Sequence, residues 1–199
     1  MQTKGTTFSA TFRMPAAPDT VWRHLREPEL LRRWFGWHGP EFESEIVGLS
    51  GGFSTVEDDG RSVVIGDHRM ALAEIGSETE LHLSRITEAE AHGMEIDEGW
   101  VTFLEQLRFV VAEQPEGQRH TFMTGGAPTT EPQWPHEEWA RSAHQRTVIV
   151  RGSGDVQLAI VGSADGGPSP HVVVNSYGRT DSEAAELHAE IAAWVAGTR

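Results

Sequence analysis

Glu98-Gly-Trp-Val-Thr-Phe-Leu-Glu-Gln-Leu-Arg-Phe-Val-Val111 reads as one long amphipathic helix. Trp100, Phe103, Leu104, Leu107, Val110 and Val111 recur at helical spacing and fall on one stripe. Burying that stripe contributes on the order of 10 kcal/mol gross, before chain entropy is subtracted. Asp97 is placed to cap the first turn, and Glu98 suits the positive end of the helix dipole. Pro115 and Gly117 stop the helix. A helix with this much apolar surface needs a sheet or a second helix to cover it.

The chain before it supplies strands. Phe8, Ala10 and Phe12 alternate with polar residues, the period of a half-buried strand. Pro18 suits a first helical turn, and Val21, Trp22 and Leu25 give a short apolar face. Beyond Pro28, the residues Leu30, Leu31, Trp34 and Phe35 form a second short helix. Strands are then expected at Phe42 to Val47 and from Gly51 to Val56. An Asp58-Asp59-Gly60 turn leads to further strands at Ser62 to Ile65, Met70 to Ile75 and Thr79 to Ile86. The whole is an α+β pattern in which a curved antiparallel meander wraps the long helix.

Residues 116–145 are rich in Gly and Pro and read as an irregular connection, with one short helix over Pro135 to His144. Thr147 to Val150, Val156 to Val161 and His171 to Tyr177 are strand-like, separated by turns at Gly152-Ser-Gly154 and Asp165 to Pro170. Asp181 or Ser182 then caps a last helix with Leu187, Ile191, Trp194 and Val195 on one stripe. The tail repeats the closing element order of the first 115 residues.

Composition excludes several classes of function. The net charge of −14 repels phosphate backbones and anionic lipid, so neither nucleic acid nor membrane is an expected partner. Without cysteine there is no disulfide, thiolate metal site or cysteine nucleophile. No apolar run approaches the ~20 residues that span a bilayer. The polar start lacks an apolar signal core, so a cytoplasmic location is expected.

Phe12-Arg-Met-Pro-Ala-Ala-Pro-Asp-Thr-Val-Trp-Arg-His-Leu25, followed by Pro28-Glu-Leu-Leu-Arg-Arg-Trp-Phe-Gly36, resembles the opening of START-like (SRPBCC) proteins. It is most similar to the branch of activator-of-heat-shock-ATPase homologues. Gly51-Gly-Phe53 resembles a Gly-Gly-x-Phe strand of that branch, and the Gly99-Trp100 pair before Leu104 and Leu107 resembles the start of its C-terminal helix. The resemblance covers residues 5–114. It implies a helix-grip fold (residues 1–115) with a cavity between sheet and helix. The extra β-β-β-α tail (146–199) then resembles the end of a second, incomplete unit. The chain departs from the family pattern in a compressed stretch between Gly52 and Thr79, where a strand lacks its tryptophan.

The resemblance implies binding of a hydrophobic or amphipathic small molecule, in a carrier or sensor role. Trp34, Phe35, Trp37, Phe53, Met70, Trp100, Leu104 and Leu107 are the expected apolar lining, with His68 and His82 as polar members. Taken one at a time, each apolar residue reads equally as core. An enzyme of cyclase, hydrolase or dehydratase type would use His68, His82 and Glu80, provided that at least two face one space. A third reading, a co-chaperone-like interaction module, requires an exposed apolar patch. A homodimer formed through the tail is compatible with the sequence. No catalytic set, cofactor or metal is expected. His136-Glu137 lacks a second histidine four residues on, Ser62, Ser77 and Ser153 sit in no nucleophile elbow, and there is no phosphate-binding Gly-rich loop.

Overall fold

The computed structural model describes residues 8–87, 93–151, 156–162 and 169–197. The turns expected around 152–154 and 165–168 lie outside them. The chain is mixed α+β, with two antiparallel five-stranded sheets and five α-helices among the described residues. It divides into two compact units, Met1–Gln114 and Pro115–Arg199.

In the first unit, strand β1 (Ser9–Met14) runs into helices α1 (Pro18–Arg26), α2 (Pro28–Leu31) and α3 (Phe42–Val47). Pro18 and Pro28 each open a helix, where a missing N–H costs nothing. Strands β2 (Ser54–Val56), β3 (Ser62–Ile65), β4 (His68–Ile75) and β5 (Glu78–Arg85) form a meander, and α4 (Gly93–Glu113) follows. The strand order is β1-β5-β4-β3-β2. One face carries Phe12 and Met14 of β1, Met70 of β4 and Leu81 and Leu83 of β5, all buried as the period of two requires.

Three segments differ from the pattern expected of the sequence. Phe42 to Val47 is helical rather than extended. Phe42 and Ile46 stand four apart, and Ile46 is buried where a helical turn brings it inward. The Gly51-Gly52 stretch belongs to a π-helical turn, Gly48–Gly52, so β2 begins only at Ser54. Its tightness is visible at Gly48, where an added Cβ would lie 2.0 Å from the Phe53 ring. Lastly, α4 starts at Gly93, which puts Asp97 inside the helix instead of at its cap.

The second unit holds β6 (Arg119–Gly125), β7 (His136–Arg141), β8 (Gln145–Val150), β9 (Val156–Val161), β10 (His171–Tyr177) and α5 (Asp181–Val195). Its order, β6-β10-β9-β8-β7, repeats that of the first sheet, and each unit closes on a helix. The echo in the tail is therefore five strands and a helix, not three and a helix. The irregular connection and short helix expected over 116–145 give way to β6 and β7. Both strands lack the apolar alternation that announces a strand. The buried positions at the start of β6 are Arg119 and Thr121, and β7 is an edge strand whose residues are at most half-buried. Ion pairs from Glu137 to Arg151 and from Glu138 to Arg146 fasten β7 to β8 and the residue after it.

Val148, Val150, Leu158, Val172 and Val174 pack with Leu187, Ile191 and Trp194 of α5 to form the core of this unit. Thr180, not Asp181 or Ser182, caps α5. Its hydroxyl accepts from the Glu183 N–H while the Glu183 carboxylate accepts from the Thr180 N–H, a full capping box. Where β6 begins beside the end of β10, Gly117 and Gly178 both have positive φ, and a Cβ on Gly117 would lie 2.6 Å from Gly178 Cα.

Candidate functional site

Cross-strand register creates the most unusual feature of the first unit. His68 opens β4 and Arg85 ends β5, and the two are paired residues on the buried face. Asp97 of α4 meets both. His68 Nε2 lies 2.8 Å from Asp97 Oδ1 and Arg85 Nε lies 3.1 Å from the same oxygen, while Arg85 Nη2 donates to Asp97 Oδ2. His68 and Asp97 are each 3% exposed and Arg85 7%. The guanidinium thus neutralises the carboxylate. Burial first, and the Arg85 charge second, push the His68 imidazole below its ordinary value against an opposing pull from Asp67. A neutral ring that donates Nε2–H to Asp97 keeps Nδ1 as its lone-pair nitrogen. Arg85 Nη1 is buried and has no hydrogen-bond partner among the described residues.

An aromatic wall adjoins this set. The His68 ring lies 5.9 Å from Trp100 and 6.4 Å from Phe8. Trp100, Phe35 and Trp37 surround Phe103 at 6.0, 4.8 and 4.7 Å between ring centroids. Trp34 meets Phe35 edge-on at 5.7 Å and donates its indole N–H to His24 O at 2.9 Å.

The structure accordingly brings together His68, Trp100, Phe35, Trp37 and, through Phe35, Trp34. Met70, Leu104 and Leu107 are fully buried. Two expected members stand apart. Phe53 is 68% exposed beside the π-helical turn, near which Val47 and Val56 are exposed as well. His82 points to the outer face of the sheet, where it meets the Thr11 hydroxyl at 3.2 Å. Glu80 shares that outer face, because 80 and 82 have the opposite parity on β5 to Arg85. Alternation thus sets His82 and Glu80 on one face of the sheet and His68 on the other. The carboxylate at His68 comes from α4 instead. Arg85 and Asp97 were missed as site residues, yet one signal was present: in Thr79-x-Leu81-x-Leu83-x-Arg85 the inward row of β5 ends on a cation.

The second unit has its own buried polar line: Arg119 Nε donates to Asn175 Oδ1 at 2.9 Å, and Asn175 Nδ2 to Gln157 Oε1 at 3.4 Å. It also has a cleft of about 190 Å3 between α5 and strands β8 and β9. His136 contacts Trp134 O through Nδ1 and Glu131 through Nε2. Among the described residues no group of three or more histidine, aspartate or glutamate side chains is placed to hold a metal ion, and no helix is long and apolar enough to cross a membrane.

No family model matches the chain and no curated protein matches it. Among solved structures it is similar to DynU16, a protein of the dynemicin biosynthetic locus. The match has 14% identity and a TM-score of 0.36, and covers 96% of this chain and 95% of that one. A likeness at that score carries no argument about function.

Proposed function

We propose that the first unit is a helix-grip module that binds an apolar or amphipathic small molecule between its sheet and α4, as a carrier or sensor. One observation carries the reading: a buried, charge-balanced Arg85–Asp97–His68 set that leaves Arg85 Nη1 without a partner among the described residues stands beside a wall of four aromatic rings. Small-molecule sites combine apolar walls with a few placed polar groups. A buried donor without a partner costs free energy, and a ligand oxygen at Nη1 relieves that cost. Because Asp97 already balances the guanidinium, a neutral carbonyl or hydroxyl oxygen fits better than an anion. The strand order followed by a long helix supports the helix-grip architecture.

The test uses prodan, a fluorescent naphthalene bearing a ketone, and its parent 2-dimethylaminonaphthalene, which has none. Prodan is expected to bind saturably at one equivalent and to raise the melting temperature. The parent should bind about tenfold more weakly, the worth of one hydrogen bond from a charged donor. Phe103→Ala should weaken both probes. The proposal fails if neither probe binds saturably.

A further inference from the structure

We infer that the second unit carries a separate site, in the cleft between α5 and strands β8 and β9, for a small organic cation with an apolar body. The floor of the cleft is apolar, with Leu158 of β9 and Leu187 and Ile191 of α5, and Trp134 closes one side. The Trp134 ring is held edge-on against Trp194 at 5.9 Å. The volume of about 190 Å3 suits a single ring, since an apolar cavity of roughly 150 Å3 takes benzene.

The rim has the opposite character. Glu183, Glu186 and Glu190 line it at helical spacing along α5, against one cation, Arg179. Glu183 is engaged in the capping box. Among the described residues Glu186 receives only a 3.5 Å contact from the Ser182 hydroxyl, and Glu190 is exposed. The mouth therefore carries excess negative charge above a hydrophobic floor. An anionic ligand would be repelled there. A neutral one would use the floor alone. An ammonium group on an aromatic or alkyl body uses the floor and the rim, and the Trp134 face adds cation–π attraction. This site is independent of the one proposed for the first unit.

The experiment follows the Trp134 indole N–H resonance of the full chain by NMR during titration with 2-phenylethylammonium, 2-phenylethanol or 3-phenylpropanoate. The ammonium is expected to shift it saturably, the alcohol to bind about fivefold more weakly, and the carboxylate not to bind. Fivefold is what two exposed ion pairs can supply. In Glu186→Gln/Glu190→Gln, which leaves the capping box intact, the ammonium should fall to the level of the alcohol while the melting temperature holds. Equal binding of ammonium and alcohol overturns the inference. So does retained preference in the double variant, or the absence of any saturable shift with the ammonium.

Discussion

Replacing Asp97 by Asn is the most searching perturbation of the first unit. The side chain keeps its shape and can still accept from His68 Nε2, but the charge that faces Arg85 is gone. Arg85 is 7% exposed and would be left with an uncompensated buried charge. Breaking a buried pair by removing one partner costs about 3–5 kcal/mol, most of it from the stranded ion. At about 4 °C lost per kcal/mol in a domain slightly over 100 residues, the melting transition should fall by about 12–20 °C. The companion variant Asp97→Asn/Arg85→Met removes the stranded cation as well, and should recover all but about 1–2 kcal/mol. Urea titrations of wild type, both single variants and the double variant, followed by tryptophan fluorescence, give the coupling energy directly. A single-variant cost under about 1 kcal/mol, or a double-variant cost equal to the sum of the singles, would refute the reasoning: Asp97 and Arg85 would not be an obligate pair.

Three further outcomes are expected. The His68 imidazole, lowered by burial and by Arg85, binds its proton less readily folded than unfolded, so its stabilising contribution is whole above its ordinary value near 6.5 and is lost as pH falls from there toward the folded value. His24, lowered chiefly by burial, acts in the same direction, so His68→Gln should flatten but not abolish the loss of stability below about pH 6.5 in pH-resolved urea titrations. Gly117→Ala should cost at least about 2 kcal/mol, because it places a Cβ in the left-handed region and against the Gly178 backbone; an unchanged urea midpoint would contradict the close approach of β6 and β10 ends. Thr180→Ala should cost about 1 kcal/mol by breaking the capping box, whereas Thr180→Ser should be nearly neutral, as differential scanning calorimetry can resolve.

Local pattern made much of the architecture legible. The helix around Trp100 to Val111, the Pro-opened helices and the strands from Ser62 to Arg85 follow from spacing and from residues that block alternatives, such as proline at a first turn. Where the pattern was silent, the reading failed for identifiable reasons. Buried Arg119 and Thr121 hid β6, because a strand whose inward row is polar has no hydrophobic period. Exposed β7 hid for the converse reason, with neither row buried. Phe42 and Ile46 satisfied two periods at once, and only packing chose the helix.

What the sequence determined by itself, then, was which residues are inward where an element carries an apolar period, since parity and helical spacing are properties of the local backbone. It could not determine which elements face each other. That His68 is answered by Asp97 rather than by Glu80, two strands' register and a helix away, was decided by tertiary structure: the β4–β5 register sets Arg85 beside His68, and α4, begun at Gly93, brings Asp97 over both. Contact across elements depends on how whole faces dock to bury area, and no local spacing encodes that distance.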